Sequence, residues 1–595
     1  MPAGDFKAKV AKAVHSALLS MGAKGFSDAH IEALIEVPPS RELGDYAFPC
    51  FKLAGALKKD PKKIAQELAE GVNKSTEAMA ELDTVSVVGG YINFFVSRAG
   101  LAESTVEQVL AEGKKYGSGS GKNETVMVEF CESNTHKAFH IGHVRNISFG
   151  EALCRLLEFS GYKVLRVNYE GDVGPHVSKT LWGFLELHNG KEPKGRGVNK
   201  GEWLGKVYAE ASKKVKGNEE LEQKMRDLVK ELHDGKNKKL LALWKKTRKW
   251  SLDEFDRIYK DFGVKFNRLY FESEVEKPGI SAARELLKKG IAEESEGAVI
   301  IDLKKEGLGV FVLLKQDGMP LYSAKDLGLI RLKTKEYKFG RSYHVVGAEQ
   351  NFYFRQLIKT FELIGLPQAK KTRHISYELV MLEGGKMGSR EGNVITYSEL
   401  LNKVMGKCMG EVGKRHKDWA KAKSEKTAKA IALSSIKFAM VSRENQKVII
   451  FNWERATELE GETGPYVQYA YARARSILRK AKGEGKGTAA GKKSKFSARK
   501  TDYGLLTEEQ EKNLVSALAG FGQAVGQSAE HCAPHIMAQH MLKVAAAFNS
   551  FYQKVPVLNA ERPELRAARL GLVKAGTIVL ENGLTLLGIE ALEEM

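Results

Sequence analysis

The stretch VEFCESNTHKAFHIGHVRN, residues 128–146, constrains the fold more than any other segment. A run of β-forming residues ends, a polar turn follows, and His140-Ile141-Gly142-His143 opens a helical pattern. A strand that delivers its end to a helix N-terminus is the layout of a phosphate site. Orphan N–H groups and the positive end of the helix dipole attract anions there. Gly142 lets a flat base or a phosphate approach the backbone closely. His140 and His143 are three apart, so both imidazoles share one face of the first turn. Each can donate to phosphate oxygens and follow negative charge as it moves. The pattern points to adenylyl transfer from ATP. Two surface histidines near a helix start would read the same way in isolation.

A second segment, LVMLEGGKMGSREGNVIT at 379–396, adds to the first. Two glycines precede Lys386-Met387-Gly388-Ser389-Arg390, and Gly392 follows. A mobile basic loop fits a site where cations cover a leaving pyrophosphate and then release it. An ordinary solvated hairpin has the same composition. With the histidine turn about 240 residues upstream, the pair resembles the HIGH and KMSKS signatures of class I aminoacyl-tRNA synthetases. NTHKAFHIGHVRN, GDVGPH at 171–176, KMGSREGN at 386–393 and TGPYVQYAYARARSILRK at 463–480 resemble arginyl-tRNA synthetases. The likeness runs from about residue 5 to the C-terminus, and 190–250 carries it least.

The residues at 310–330, VFVLLKQDGMPLYSAKDLGLI, bear on amino-acid choice. A strand ends at a Gln316-Asp317-Gly318 turn, and a helix begins near Ser323. Tyr322 and Asp326 are four apart, so they can face one ligand. A planar guanidinium wants an in-plane carboxylate and an aromatic face. Ser323 through Asp326 also fits a capping box. A ligand that left a buried carboxylate unpaired would be rejected by several kcal/mol, which makes an editing site unnecessary.

The resemblance implies two steps. Arginine carboxylate attacks the α-phosphate of ATP, giving arginyl-adenylate and pyrophosphate. The terminal ribose hydroxyl of tRNA(Arg) then attacks the activated carbonyl. Mg²⁺ accompanies ATP, since no all-protein metal cage is visible and no protein metal ligands are assigned. His140, His143, Lys137, Lys386 and Arg390 would stabilise charge, and His140, Gly142, His143, Lys386 and Met387 would line ATP. Residues matching Tyr322, Asp326 and Gln350 line the arginine side-chain pocket, and those matching Glu129 and Asn134 hold the α-ammonium. His176 in the GDVGPH turn is a further candidate. Two departures stand out. Gly388 and Ser389 replace the first serine and second lysine of the basic loop, removing one cation. Lys137, three residues before the first histidine, stands where arginyl enzymes supply that charge. Ser133 replaces the usual proline before Asn134, which loosens the turn and removes no charge.

A chain of 595 residues is too long for one core, and three or four domains are expected. Residues 1–115 read as a small α+β domain, with a core-facing stripe Phe6, Val10, Val14, Leu18 and Met21, and a strand in VSVVGGYINFFV. A transit peptide is the alternative reading of that stripe. By resemblance this domain touches the tRNA elbow, and Tyr91, Asn93 and Phe95 contact a D-loop base; a half-buried sheet edge explains them as well. Residues 120–395 alternate strand and helix patterns, with TVMVEF, KVLRVNY, LGVFVLL and SYHVVG as strands of a Rossmann-type parallel sheet. The insertion at 190–275 is charged and helical; its KKLLALWKKTRKW run reads as a solvated face or an acceptor-stem path. Residues 396–450 are connecting helices, and 451–595 form an all-α anticodon-binding bundle with a flexible basic loop at 481–500. Tyr466, Gln468, Tyr469 and Arg473 interleave aromatic and basic groups, which suits unpaired bases and phosphates, although part of the stripe faces the bundle core. The expected fold class is α/β: a Rossmann catalytic domain, an α+β N-terminal domain and an all-α C-terminal bundle.

The net charge of +20 suggests a polyanionic partner. No apolar run reaches about 18 residues, so no membrane span is expected. Five cysteines without a C-x-x-C pair fit a reducing, cytoplasmic setting and no zinc site. The expected protein is a monomer. Two other classes stay open: another adenylyltransferase of the HIGH fold, and a non-catalytic tRNA-binding paralogue, which the altered KMGSR loop keeps in view.

Overall fold

The glycine pair in VSVVGGYINFFV turns one expected strand into a hairpin. The N-terminal sheet comprises β1 (Tyr46–Pro49), β2 (Leu82–Val88) and β3 (Tyr91–Val96), antiparallel in the order β1-β3-β2. Gly89, at φ +61°, makes the β2–β3 turn. Ile92, Phe94 and Val96 meet Phe6, Val10, Val14 and Leu18 of the helix Phe6–Ser20 in one core. β3 is the central strand, which corrects the expectation of a sheet edge. The computed structural model describes residues 6–23, 25–36, 38, 41–79, 82–195, 197–383, 395–483 and 501–595. Lys386, Met387 and Arg390 lie outside the described residues.

The catalytic sheet begins with β4 (Thr125–Glu129), β5 (Lys163–Glu170) and β6 (Arg268–Phe271). A separate antiparallel sheet follows: β7 (Glu293–Ser295), β8 (Ala298–Leu303) and β9 (Gly309–Leu314). The chain then returns with β10 (Arg341–Gly347) and β11 (Thr372–Tyr377), giving a parallel sheet ordered β11-β10-β4-β5-β6. LGVFVLL therefore does not belong to the parallel sheet. A short link with Gly307 at φ +68° folds it back on β8 as a hairpin partner. An apolar run alone does not say which sheet it joins.

From β4 the chain moves outward to β5 and β6, and it resumes on the other side at β10. The crevice beyond the C-terminal ends of β4 and β10 is thus the topological switch point, where open α/β sheets bind ligands. The helix Tyr322–Glu336 is held there by backbone contact with the helix Glu272–Lys288. A Cβ on Gly279 would collide with the Ala324 carbonyl, and one on Gly328 with the Val275 carbonyl. The insertion contributes the helices Lys200–Val215, Glu219–Asp234 and Lys238–Phe262.

The C-terminal part is helical. The helices Gly464–Ala481, Glu509–Ala519, Pro534–Lys554 and Pro563–Leu586 bury Val467, Leu514, Phe548 and Leu580 in one core. The helix Arg98–Glu112 joins the same core through Ala102, Val106 and Val109. Tyr116 donates to the Leu518 carbonyl at 3.0 Å, and Asn582 to the Gly113 carbonyl at 3.1 Å. Among the described residues, no helix is long and apolar enough to cross a membrane.

Candidate active site

Beyond β4 the backbone enters the left-handed region at Cys131 (φ 86°), Glu132 (φ 49°) and His136 (φ 64°). Non-glycine residues adopt such conformations at a cost of roughly 1–3 kcal/mol each and keep them where surrounding contacts impose them. Those contacts are present. The Cys131 N–H donates to Asn146 Oδ1 at 2.6 Å, and the Glu132 N–H to Asn168 Oδ1 at 2.9 Å. The His136 N–H donates to Ser251 Oγ at 2.9 Å. Ser133 Oγ lies 3.1 Å from the Tyr259 hydroxyl, which donates to Glu170 at 2.7 Å. Ser133 thus ties the turn to the insertion helix.

Ser251 and Tyr259 belong to the insertion helix Lys238–Phe262. From the same helix Thr247 Oγ1 lies 2.8 Å from His136 Nε2, and the Trp244 indole donates to the Asp172 carbonyl at 2.8 Å. One face of KKLLALWKKTRKW therefore buttresses the site, while Lys245, Lys246 and Lys249 are exposed.

His140 is the N-cap of the helix Ile141–Phe159. Its Nδ1 accepts from the Gly142 N–H at 3.1 Å, and His143 Nδ1 accepts from the His140 N–H at 3.2 Å. The rings stack with centroids 3.9 Å apart. Because each Nδ1 is an acceptor, each ring carries its proton on Nε2. Burial, with Lys137 adding repulsion, pushes His140 down to about 4. Burial also holds His143 well below its usual range, with His140 and Lys137 adding to the effect. Both imidazoles are neutral at pH 7 and offer an Nε2–H. Lys137 sits 5.3 Å from the Tyr208 ring centroid. Its charge also acts on His176, which burial pushes down to about 3 and whose Nε2 lies 3.3 Å from the Gly171 carbonyl.

Tyr322, 68% exposed, opens the helix Tyr322–Glu336, and Asp326 follows one turn later. The capping box does not form. Leu321 is the N-cap, and Ser323 Oγ bonds the Val312 carbonyl. Asp326 instead accepts from the Tyr353 hydroxyl. Burial pushes Asp326 up to about 7 against that hydrogen bond, and the Glu129 charge adds to the rise. Glu129, at the end of β4, lies 2.5 Å from Lys333 Nζ and 2.8 Å from His344 Nδ1. Burial would raise its pKa, but Lys333 and His344 outweigh it and hold Glu129 at about 2. Asn134 bridges to Gly171, where a Cβ would strike its Oδ1. Gln350 is exposed at the end of the short turn Ala348–Gln350, just beyond β10.

In the distal bundle, Gln468 is fully buried and donates to the Glu590 carbonyl at 2.6 Å, so it faces the core. Tyr466 packs partly against the same core. Tyr469 and Arg473 face outward, the guanidinium carbon 4.5 Å from the Tyr469 ring centroid and 4.7 Å from that of Tyr552. Arg473 also donates to Asn549 at 2.7 Å. Arg415 comes within 5.6 Å of the Tyr469 ring centroid from another helix. In the N-terminal sheet, Tyr91 meets Phe51 edge-on, Phe95 is half-buried and Asn93 is 3% exposed.

The chain matches three family models: the arginyl tRNA synthetase N terminal domain over residues 5–96, the catalytic domain of tRNA synthetases class I (R) over 105–453, and the DALR anticodon binding domain over 467–595. It is 37% identical over 569 residues to the arginine–tRNA ligase of Clostridium perfringens, covering 95% of this chain and 96% of that one. With the arginine–tRNA ligase of Clostridioides difficile it shares 35% identity over 593 residues, 99% of this chain and 100% of that one. The chain belongs to the arginyl-tRNA synthetase family. The Thermus thermophilus arginyl-tRNA synthetase superposes with a TM-score of 0.79 at 28% identity, covering 98% of this chain and 99% of that one.

As an arginine–tRNA ligase it uses ATP, and its helical C-terminal domain binds tRNA(Arg). The full-length family match sets aside the non-catalytic paralogue and the small-molecule adenylyltransferase. Motif reasoning singles out the two histidines, Lys137 and Asp326. It missed Glu132, Lys333, His344 and Tyr353 in the crevice, and Arg415 and Tyr552 on the distal surface. Their partners lie on other elements, and no local pattern marks them.

Proposed function

We propose that the crevice between β4 and β10 activates arginine with the following division of labour. The Nε2–H groups of His140 and His143 donate to ATP phosphate oxygens, and Gly142 admits the nucleotide to the backbone. Lys137 supplies the cation that the KMGSR loop lacks. Lys386 and Arg390 supply positive charge for the departing pyrophosphate, and Met387 contributes to the nucleotide site. Mg²⁺ arrives with ATP as part of the substrate; among the described residues no cluster of His, Cys, Asp or Glu is placed to hold a metal. Asp326, Tyr322 and Gln350 receive the guanidinium, and Asn134 and Glu129 frame the α-ammonium end. No side-chain nucleophile takes part. Rate acceleration comes from positioning and from donors aimed where charge develops.

Residues 1–115 bind the tRNA elbow through Tyr91 and Phe95, with the buried Asn93 supporting that face from within, and 396–450 contact the stem. Residues 451–595 read the anticodon through Tyr466, Tyr469 and Arg473, with Gln468 supporting that face from within. The enzyme acts as a cytoplasmic monomer, and bound tRNA is needed for activation. The observation that carries this reading is the neutral, stacked histidine pair beside Lys137 at the switch point.

ATP–pyrophosphate exchange across the amino acids, with and without tRNA, tests it. Exchange should occur with arginine alone and only when tRNA is present. Exchange with another amino acid would refute the pocket. Full exchange without tRNA would refute the coupling.

A further inference from the structure

The insertion helix that holds the strained turn ends where the C-terminal bundle meets the catalytic domain. In its last turn the Tyr259 hydroxyl accepts from Asn168 at 3.0 Å, besides its bonds to Ser133 and Glu170. Gly263, at φ 70°, closes the helix, and the Val264 N–H donates back to the Tyr259 carbonyl at 2.8 Å. The Gly263 carbonyl then accepts from Arg155 Nη2 at 3.2 Å. The other arm of that guanidinium, Nη1, donates at 3.1 Å to the Thr585 carbonyl, in the last turn of the helix Pro563–Leu586. Arg155 Nε donates to the buried Glu151 carboxylate at 2.7 Å, and Arg166 holds Glu151 from its other oxygen at 2.8 Å.

One planar fork thus serves the C-terminal carbonyls of two helices, where a cation also meets the negative ends of their dipoles. Apolar packing does not take its place. Tyr259 and Phe262 lie in the catalytic core and Leu584 and Leu586 in the bundle core, and a groove of about 880 Å³ opens where Arg155, Gly263 and Thr585 meet. The bundle has a second tether. Lys437, in the helix Lys421–Val441, donates to the Gly588 carbonyl at 2.8 Å and passes 5.3 Å from the centre of the Phe262 ring. We propose that Arg155 is a positioning residue for arginine activation. It ties the domain that binds tRNA to the insertion helix, so that engagement of tRNA is transmitted through Tyr259 and Ser251 to the turn after β4. The inference rests on activation needing bound tRNA.

ATP–pyrophosphate exchange by the full chain, with arginine and ATP saturating and tRNA(Arg) varied, tests the assignment. Arg155→Ala should lower the rate at saturating tRNA about tenfold, a usual size for coupling between sites. The tRNA concentration giving half the maximal rate should move less than about threefold, because Lys437 still docks the bundle. Arg155→Lys should be as slow as Arg155→Ala, since an ammonium does not reproduce the fork. Ser251→Ala removes the bond to the His136 N–H. In that background Arg155→Ala should cost less than about twofold, as expected of two residues acting along one route. An unchanged rate at saturating tRNA, a loss confined to the tRNA requirement, full rescue by lysine, or an equal cost of Arg155→Ala in both backgrounds would each overturn the proposal. If Arg155→Ala does not fold, Arg155→Lys, which keeps a cation beside Glu151, carries the same comparisons. Full exchange by the unmodified chain without tRNA would refute the tRNA requirement and this inference with it. A tRNA-dependent chain with unaffected variants would refute the inference alone.

Discussion

Each imidazole of the His140–His143 pair has its Nδ1 tied to a backbone N–H, so neither ring can turn without losing a hydrogen bond. Neutral donors fixed in this way need a permanent charge beside them to match a departing pyrophosphate. Lys137→Ala should therefore slow adenylate formation by roughly 10² in single-turnover measurements, with the arginine KM unchanged. An unaltered rate would reduce Lys137 to a scaffold charge. Asp326 gives a second prediction. With its carboxyl raised to about 7, part of it is protonated in the free enzyme at neutral pH. A guanidinium pairs with the ionised form, so arginine binding releases a proton. The arginine KM should rise as pH falls below about 7, by up to about tenfold per unit. Asp326→Asn should flatten that limb and weaken arginine by roughly 3 kcal/mol, leaving ATP binding intact. Asp326 was legible in the sequence because Tyr322 stands one helical turn away. Tyr353 and His344 were not, since they meet Asp326 and Glu129 across separations of 27 and 215 residues.

Among the elements, the insertion helix Lys238–Phe262 shows how composition misleads. Its lysines announce a solvated face, yet Thr247, Ser251 and Tyr259 at helical spacing hold the strained turn. Polar residues that satisfy buried backbone have no hydropathy signature, so periodicity could not separate them from surface. The same limit placed LGVFVLL in the wrong sheet, while TVMVEF, KVLRVNY and SYHVVG fell where expected. The helix Gly464–Ala481 divides along its length in a testable way. Tyr469→Ala or Arg473→Ala should raise the KM for tRNA about tenfold and leave those for arginine and ATP unchanged, because stacking on an unpaired base contributes roughly 1–3 kcal/mol. Gln468→Ala should lower the melting temperature and spare the tRNA KM, because it leaves the Glu590 carbonyl without its donor. A tRNA defect without a stability change in Gln468→Ala would reverse that assignment.

Over the whole molecule, the net charge of +20 makes association with tRNA a matter of counterion release. The KM for tRNA should climb steeply with salt between about 50 and 200 mM while the arginine KM stays nearly level; parallel curves would contradict a phosphate-led encounter. Domain order was legible from motif order. The docking of one domain's segment on another was not, because nothing in Arg98–Glu112 names the surface it will meet. That docking bears on how the chain is made. Asn582 and Gly113, which bond each other, are 469 residues apart. At ~5–20 residues per second, a ribosome needs roughly 20 to 90 s to bring the second within reach of the first. Throughout that interval Ala102, Val106 and Val109 have emerged without the helix Pro563–Leu586, which completes their core. Nascent chains halted before the helix Pro563–Leu586 should be cut by protease near Arg98–Glu112, and released full-length chains should resist. A helix made late would then be the one that shelters a helix made far earlier.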